Sequence, residues 1–441
     1  MWRLGASHSR ATERSLHAIA NLFAADCAGK GLPPGPHAMT VATPAAAEDK
    51  RGSPLEVLAA FARLGVSSFG GPIAHLGYFR AEFVERRRWL DERAYADLVA
   101  LCQFLPGPAS SQVGFSLGLM RAGYLGGLAA WLGFTLPSAV LLVAFAYGAS
   151  ALNGSLGAGL LHGLKLMAVA VVAQAALGMA RALAPDRPRA SIAILALIVT
   201  AISPASLAQI GAIVLGGVAG LLFCRSEPRE ASAPAALPMS RGMGVVFLGL
   251  YVLLLALSFA PARDDALALF SAFYRSGALV FGGGHVVLPL LRSAVVAPGW
   301  VSDGAFLAGY GAAQAAPGPL FTFAAYLGAV AHAPPGGGAG AALALVAIFI
   351  PGLLALMAAL PFWRDLSGRQ SARAAMAGIN AAVVGLLGAA LYNPVFVSAV
   401  QSPADFAIAA AGFVLLVAWR APPLVVVALT AAAGLAMAAI G

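Results

Sequence analysis

From Pro54 onward the chain alternates apolar stretches of roughly helix length with short polar loops, and at several places glycine and proline interrupt sequence that is otherwise apolar. Leu55, Leu58, Ala59 and Ala62 recur at helical spacing and predict a helix that breaks at Ser67-Ser68-Phe69-Gly70-Gly71-Pro72. A short segment, Ile73 to Phe83, leads into a charged run from Arg80 to Arg93. Residues 94–105 and 109–120 read as half-length helices on either side of Pro106-Gly107-Pro108. Segments near 124–150, 159–181, 190–203 and 205–224 approach the ~20 residues that a spanning helix needs. A polar linker at 225–243 follows, and then an apolar span at 244–260 with no counterpart upstream.

The pattern then starts again. Gln103-Phe-Leu-Pro-Gly-Pro108 recurs as Gln314-Ala-Ala-Pro317-Gly318-Pro319, and Phe61, Arg63 and Gly65 recur as Phe273, Arg275 and Gly277. Phe69-Gly70-Gly71 returns as Phe281-Gly282-Gly283, Trp89 and Trp300 precede the two glutamines by the same interval, and Leu117-Gly118 matches Leu327-Gly328. A shared apolar bias does not place glycine, proline, arginine and tryptophan landmarks in one order twice. The division is therefore an N-terminal extension at 1–53, a first repeat at 54–224, the linker at 225–243, the extra span at 244–260 and a second repeat at 261–441. The extension is polar, with a Pro-Pro-Gly-Pro run at 33–36, and is expected to be disordered. Met39 is a candidate alternative start.

Composition sets the class. With 60% hydrophobic residues, 10% charged residues and 51 glycines in 441, the chain is too apolar for soluble domains and reads as an all-α polytopic membrane protein. The net charge of +9 marks cytoplasmic loops and does not call for nucleic acid. Cys27, Cys102 and Cys224 have neither metal-site nor disulfide spacing, and no metal or cofactor is expected.

Charge also orients the copies. The first repeat has basic loops at Arg80–Arg93 and Arg181–Arg189 and neutral ones near Asn153 and Ser203; in the second repeat the bias is exchanged, with Arg364, Arg369, Arg373 and Arg420 in the counterparts of the neutral loops. By the positive-inside rule the repeats have inverted topology, the extra span supplies the flip, the amino terminus is cytoplasmic and the carboxyl terminus external. Gly70-Gly71-Pro72 and Pro106-Gly107-Pro108 are then tips of re-entrant or broken helices, met by Gly282-Gly283 and Pro317-Gly318-Pro319 from the other face. Proline-kinked spanning helices are the plainer alternative. The second proline of each Pro-Gly-Pro suits the first position of the following helix, whose unpaired amides attract anions.

The candidate substrate contacts gather at these tips: Arg63, Ser67, Ser68, Gly70, Gly71, Pro72, Gln103, Pro106, Gly107, Pro108 and Ser110 in the first repeat. In the second they are Arg275, Gly282, Gly283, Gln314, Pro317, Gly318 and Pro319. Arg63 and Arg275 suit an oxyanion by their planar fork, or else snorkel to the interface. Gln103 and Gln314 can donate to a ligand or cap a freed carbonyl. His75, His285 and Glu82 are proton-coupling candidates, set against a hydrogen-bonded histidine and a solvated acid.

Ser68-Phe69-Gly70-Gly71-Pro72 with His75, Gln103 through Pro108, Phe281-Gly282-Gly283-Gly284-His285 and Gln314 through Pro319 together resemble the paired signatures of the chromate ion transporter family, over about 55–440. The resemblance implies a long-chain, two-domain protein of the bacterial inner membrane, not an enzyme, exporting chromate by the proton motive force with sulfate as a near-isostere. Its partners are then the oxyanion and the lipid bilayer, as a monomer or homodimer. A passive anion channel and an intramembrane phosphatase of lipid phosphates are the rival readings.

Overall fold

The computed structural model describes residues 52–151, 154–203, 206–224, 239–281, 284–333, 335–363 and 369–440. The N-terminal extension with Met39, most of the linker and the Gly282-Gly283 pair lie outside the described residues. Among the described residues the regular structure is helical, with no strand. The first repeat contributes α1 (Pro54–Ser67), α2 (Gly71–Phe79), α3 (Glu92–Phe104), α4 (Ala109–Ala151), α5 (Ser155–Leu183), α6 (Arg187–Ile202) and α7 (Ser206–Phe223). The helix between the repeats is α8 (Arg241–Leu257), and the second repeat runs α9 (Asp265–Ala278), α10 (Val287–Val295), α11 (Asp303–Ala315), α12 (Phe323–Val330), α13 (Gly337–Ala359), α14 (Gln370–Ala390), α15 (Pro403–Val417) and α16 (Pro423–Ile440). The two arms of α4, bent where Ala122 and Gly123 leave helical geometry, correspond to the separate helices α12 and α13.

Matching caps start matching helices. Ser53 accepts from Glu56 N and Asp264 from Leu267 N at the start of α1 and α9, Asp91 and Ser302 cap α3 and α11, and Asp186 and Ser402 cap α6 and α15. One ion pair is also duplicated. Arg80 Nε lies 2.7 Å from Glu92 Oε1, and in the second repeat Arg292 Nε lies 2.9 Å from Asp303 Oδ1. Each pair ties the end of the glycine-tip helix to the start of the helix that carries the next tip.

α4, α5, α13 and α14, the last extended to Ala399, are long and apolar enough to cross a membrane. Their environment is legible on the outer surface, where Leu125, Leu128, Leu132, Leu136 and Val140 form an exposed apolar stripe on α4, and Ile194, Leu195, Ile198 and Ile202 another on α6. In water such a surface is a liability, whereas against lipid it costs nothing.

The repeats are interlaced. α5 packs against α15 and α16 of the second repeat, while its counterpart α14 packs against α6 and α7 of the first. Small residues permit this. A Cβ on Gly163 of α5 would stand 2.3 Å from Thr430 O in α16, and one on Gly378 of α14 would stand 2.0 Å from Gly216 O in α7. Backbones approach this closely only on glycine, as in membrane helix pairs built on small-xxx-small spacing.

Candidate functional site

The site begins where helices stop. α1 ends at Ser68 in extended geometry, and Gly70 and Gly71 take φ of 98° and 78°, left-handed values that other residues adopt only at a cost. α3 likewise ends in extended Leu105, and Gly107 takes φ of 111° before α4 begins at Ala109. In the second repeat α11 ends at extended Ala316, and Gly318 takes φ of 91°. These are breaks, not kinks. The second proline of each Pro-Gly-Pro differs from expectation by one position: Pro319 is the cap residue of the turn at Leu320–Thr322, and Pro108 O accepts the first helical bond of α4 from Gln112 N, so both precede the first helical residue. A cap residue still has its carbonyl to give, and proline loses nothing there by lacking an N–H.

The four breaks meet by exchange between repeats. Gly107 N donates to Val280 O at 2.8 Å, and Gly318 N donates to Ser68 O at 2.8 Å. Val280 and Ser68 each stand one residue before the matched phenylalanines Phe281 and Phe69. Each Pro-Gly-Pro corner is therefore clipped to the glycine break of the opposite repeat, and such reciprocity is the mark of a two-fold relation. A Cβ on Gly284 would lie 3.4 Å from Pro72 Cγ, so the residue after the second glycine pair stands beside the first glycine break. Beneath them, a Cβ on Gly107 would come within 2.8 Å of Gly352 Cα, and one on Gly318 within 2.9 Å of Ser138 Oγ. Gly352 and Ser138 follow Pro351 and Pro137, the matched prolines inside α13 and α4.

A cavity of about 60 Å³ opens at this junction, lined by Gly70, Gly71 and Pro72 at the amino end of α2, by His285, Gln314, Gly318 and Leu320 of the second repeat, and by Val171 and Gln174 of α5. That is several times the ~10–15 Å³ a single water needs by the same measure. The lining offers donors: the opening of α2, the amides of Gln174 and Gln314, and His285. Gln314 Nε2 is buried without a hydrogen-bond partner in the protein, whereas Gln174 Nε2 reaches Leu416 O at 3.5 Å. His285 Nδ1 lies 2.6 Å from the Tyr310 hydroxyl, which leaves Nε2 as the ring's other hydrogen-bonding atom.

The remaining predicted residues sit around this cavity or away from it. Pro106, Gly107 and Pro108 form the opposite corner, with Pro108 against Gly352 and Pro106 O accepting from Gln112 Nε2 at 2.9 Å; the same amide donates to Gly352 O at 2.8 Å. Pro317 and Pro319 are buried in the second corner. Ser68 and Ser110 are buried, and the hydroxyls of Ser68, Ser111 and Thr135 have no protein partner. His75 is fully buried, edge-on to Phe134 with ring centroids 5.1 Å apart. Arg63, Ser67 and Gln103 are exposed, and Ser67 Oγ donates to Arg63 O at 2.9 Å.

Arg275 belongs to a different cavity and donates from Nη1 to Ser258 O at 2.8 Å. Glu82 is tied down by Arg86 at 2.8 Å and Arg87 at 2.6 Å, beside Trp89, whose ring carries the guanidinium groups of Arg87 and Arg121 at 5.6 and 5.4 Å. Gly282 and Gly283 are outside the described residues. Gln174 and Tyr310 escaped the sequence reading because neither belongs to the repeated motifs and each stands between small apolar neighbours. Only the fold brings them to the junction.

No solved structure matches the chain. Among curated proteins, the chain is 30% identical to a chromate transport protein of Pseudomonas aeruginosa over 86% of its own length and 91% of that protein's. It is 28% identical to a probable chromate transport protein of Synechococcus elongatus, over 75% and 82% of the two chains, and 26% identical to a chromate transport protein of Cupriavidus metallidurans, over 75% and 80%. The chromate transporter family model matches twice, at residues 55–221 and 267–435, one match on each repeat. With both copies of its signature clipped together at one junction, this chain belongs to the chromate transporter family.

Proposed function

We propose that the chain is a secondary transporter that exports chromate, or a similar tetrahedral oxyanion such as sulfate, across the bacterial inner membrane, and that the junction of the four helix breaks is its substrate site. One observation carries the reading: the cavity is lined from both repeats at once, by the amino end of α2 from one and by Gln314, Gly318 and His285 from the other. Transporters built from inverted repeats place substrate between the repeats at discontinuous helices, and a helix amino terminus suits an anion. A site shared by two halves is one that their relative movement opens and closes.

Gln314 supplies an amide donor, Gln174 a second, and His285 a hydrogen bond whose direction depends on its protonation. His75 and Glu82 are the other proton-coupling candidates. Arg63 and Gln103, being exposed, serve the approach to the site. Expulsion of a dianion from an inside-negative cell is favoured by about 4.6 kcal/mol per 100 mV, so proton exchange supplements a gradient that already drives export.

The test is uptake of radiolabelled chromate into inverted membrane vesicles, with and without an imposed pH gradient, for the native chain, Gln314→Ala and Gln174→Ala. The expected outcome is saturable uptake by the native chain, faster with the gradient, inhibited by sulfate and lost in both variants at unchanged membrane levels. Full uptake in both variants overturns the site. Unsaturable flux indifferent to the gradient overturns the carrier and describes a channel.

A further inference from the structure

Arg275 lies outside the central cavity, and its surroundings raise a separate question. The guanidinium has five N–H groups, of which one holds Ser258 O just beyond the carboxyl end of α8. The group also stands 5.1 Å from the centroid of Phe259. Among the described residues it has no carboxylate within ion-pair reach, whereas Arg80, Arg86, Arg87, Arg121, Arg189 and Arg292 each hold one. Arg275 is half-buried, and a cation in that position without an anion is costly.

Arg275 lines a cavity of about 320 Å³ together with Ser271, Ser293 and Trp300. A second, smaller cavity of about 10 Å³ shares Arg275 and Ser293 and is lined also by Leu279 and by Leu290 of α10. Depth follows from α8. Helix α8, Arg241–Leu257, is about 26 Å long at 1.5 Å per residue, close to the ~30 Å hydrocarbon thickness, so a spanning α8 would bring Ser258 and its partner Arg275 to the level of the headgroups, where tryptophans such as Trp300 are enriched.

We infer that Arg275, Ser271 and Ser293 form a second anion site, distinct from the central cavity, which takes a tetrahedral oxyanion group at the membrane–water boundary. The planar fork pairs two oxygens and Ser271 donates to a third, while Ser293 donates by turning its hydroxyl away from Leu290 O, which it holds at 2.9 Å. Two sources present that chemistry at that level: a free oxyanion next to the second glycine break, or the phosphate of a phospholipid headgroup. The site does not require the transport reading, since a lipid phosphate occupies it whatever the chain carries.

The experiment uses the purified full-length chain, with R275Q and the double variant S271A/S293A. The second variant leaves the Arg275–Ser258 contact in place and so separates ligand binding from helix capping. In one arm, equilibrium binding of radiolabelled chromate to delipidated protein is expected to show two sites per native chain, with the outer site weakened about tenfold or more in either variant, the loss of one hydrogen bond to a charged group. In the other arm, native mass spectrometry is expected to show a phospholipid retained by the native chain and lost in both variants. A change in the first arm identifies the free oxyanion and a change in the second the lipid. Unchanged chromate stoichiometry together with unchanged lipid retention in both variants overturns the site. Gln314→Ala removes only the central site, so failure there is read independently.

Discussion

Gly107 and Gly318 carry the junction between repeats by what they lack. Each has a left-handed φ, where an alanine costs about 1–2 kcal/mol, and each abuts a neighbour that cannot retreat, Gly352 Cα for the one and Phe134 O and Ser138 for the other. Gly299 has φ of 81° with nothing within 4 Å of its missing Cβ. Gly299→Ala is therefore expected to show the backbone cost alone, and Gly107→Ala and Gly318→Ala that cost plus overpacking of ~1–3 kcal/mol. Thermal unfolding in detergent, followed by intrinsic fluorescence, checks the order, and equal midpoints for all three contradict it. At this scale the sequence was a good guide to the corners, because left-handed glycine beside proline leaves little choice of conformation. It was a poor guide to Arg63 and Arg275. Their matched positions argued for a shared role, but Arg63 is exposed while Arg275 acquired Ser258 from α8, an element that the first repeat lacks.

Among the helices, α5 meets α16 and α14 meets α7 in close approach on glycine. Gly163→Leu and Gly378→Leu place side chains where backbone oxygens stand 2.3 and 2.0 Å from the first added carbon, so the helices must separate along their length. Both are expected to abolish stable expression or to lower the unfolding midpoint far more than Gly249→Ala in α8. At Gly249 nothing lies within 4 Å, and alanine gains up to about 1 kcal/mol of helix propensity. Size-exclusion profiles of fluorescent fusions report the difference; monodisperse Gly378→Leu protein contradicts it. Helix existence was legible from periodicity, and caps such as Asp91 and Ser302 had the usual composition. The exchange of partners was not. Nothing in the apolar faces of α5 and α14 says whether they pack within their own repeat or across it, because membrane helices are sorted by shape and not by burial from water.

For the whole molecule, the reciprocal bonds Gly107 to Val280 and Gly318 to Ser68 require a two-fold axis, but such an axis can run along the membrane normal or lie in the membrane plane. Loop charge chooses between them. The junction of α5 and α6 carries Arg181, Arg187 and Arg189, whereas the matched stretch before α15, Asn393 to Ser402, has no basic residue, and Arg420 appears between α15 and α16 where the first repeat has Ser203. An axis along the normal would set both loops on one side and leave this exchange of charge without a cause. An axis in the plane would set them on opposite sides, the positive-inside rule would then put the arginines in the cytoplasm, and α8 would be the odd crossing that such an arrangement needs. Paired reporters fused after Ala184 and after Val400, one active only in the cytoplasm and one only outside, are therefore expected to report opposite compartments, with Ala184 inside. Agreement between the two fusions would leave the central cavity between parallel repeats. Rocking of one repeat against the other would then no longer exchange its access between the two faces of the membrane.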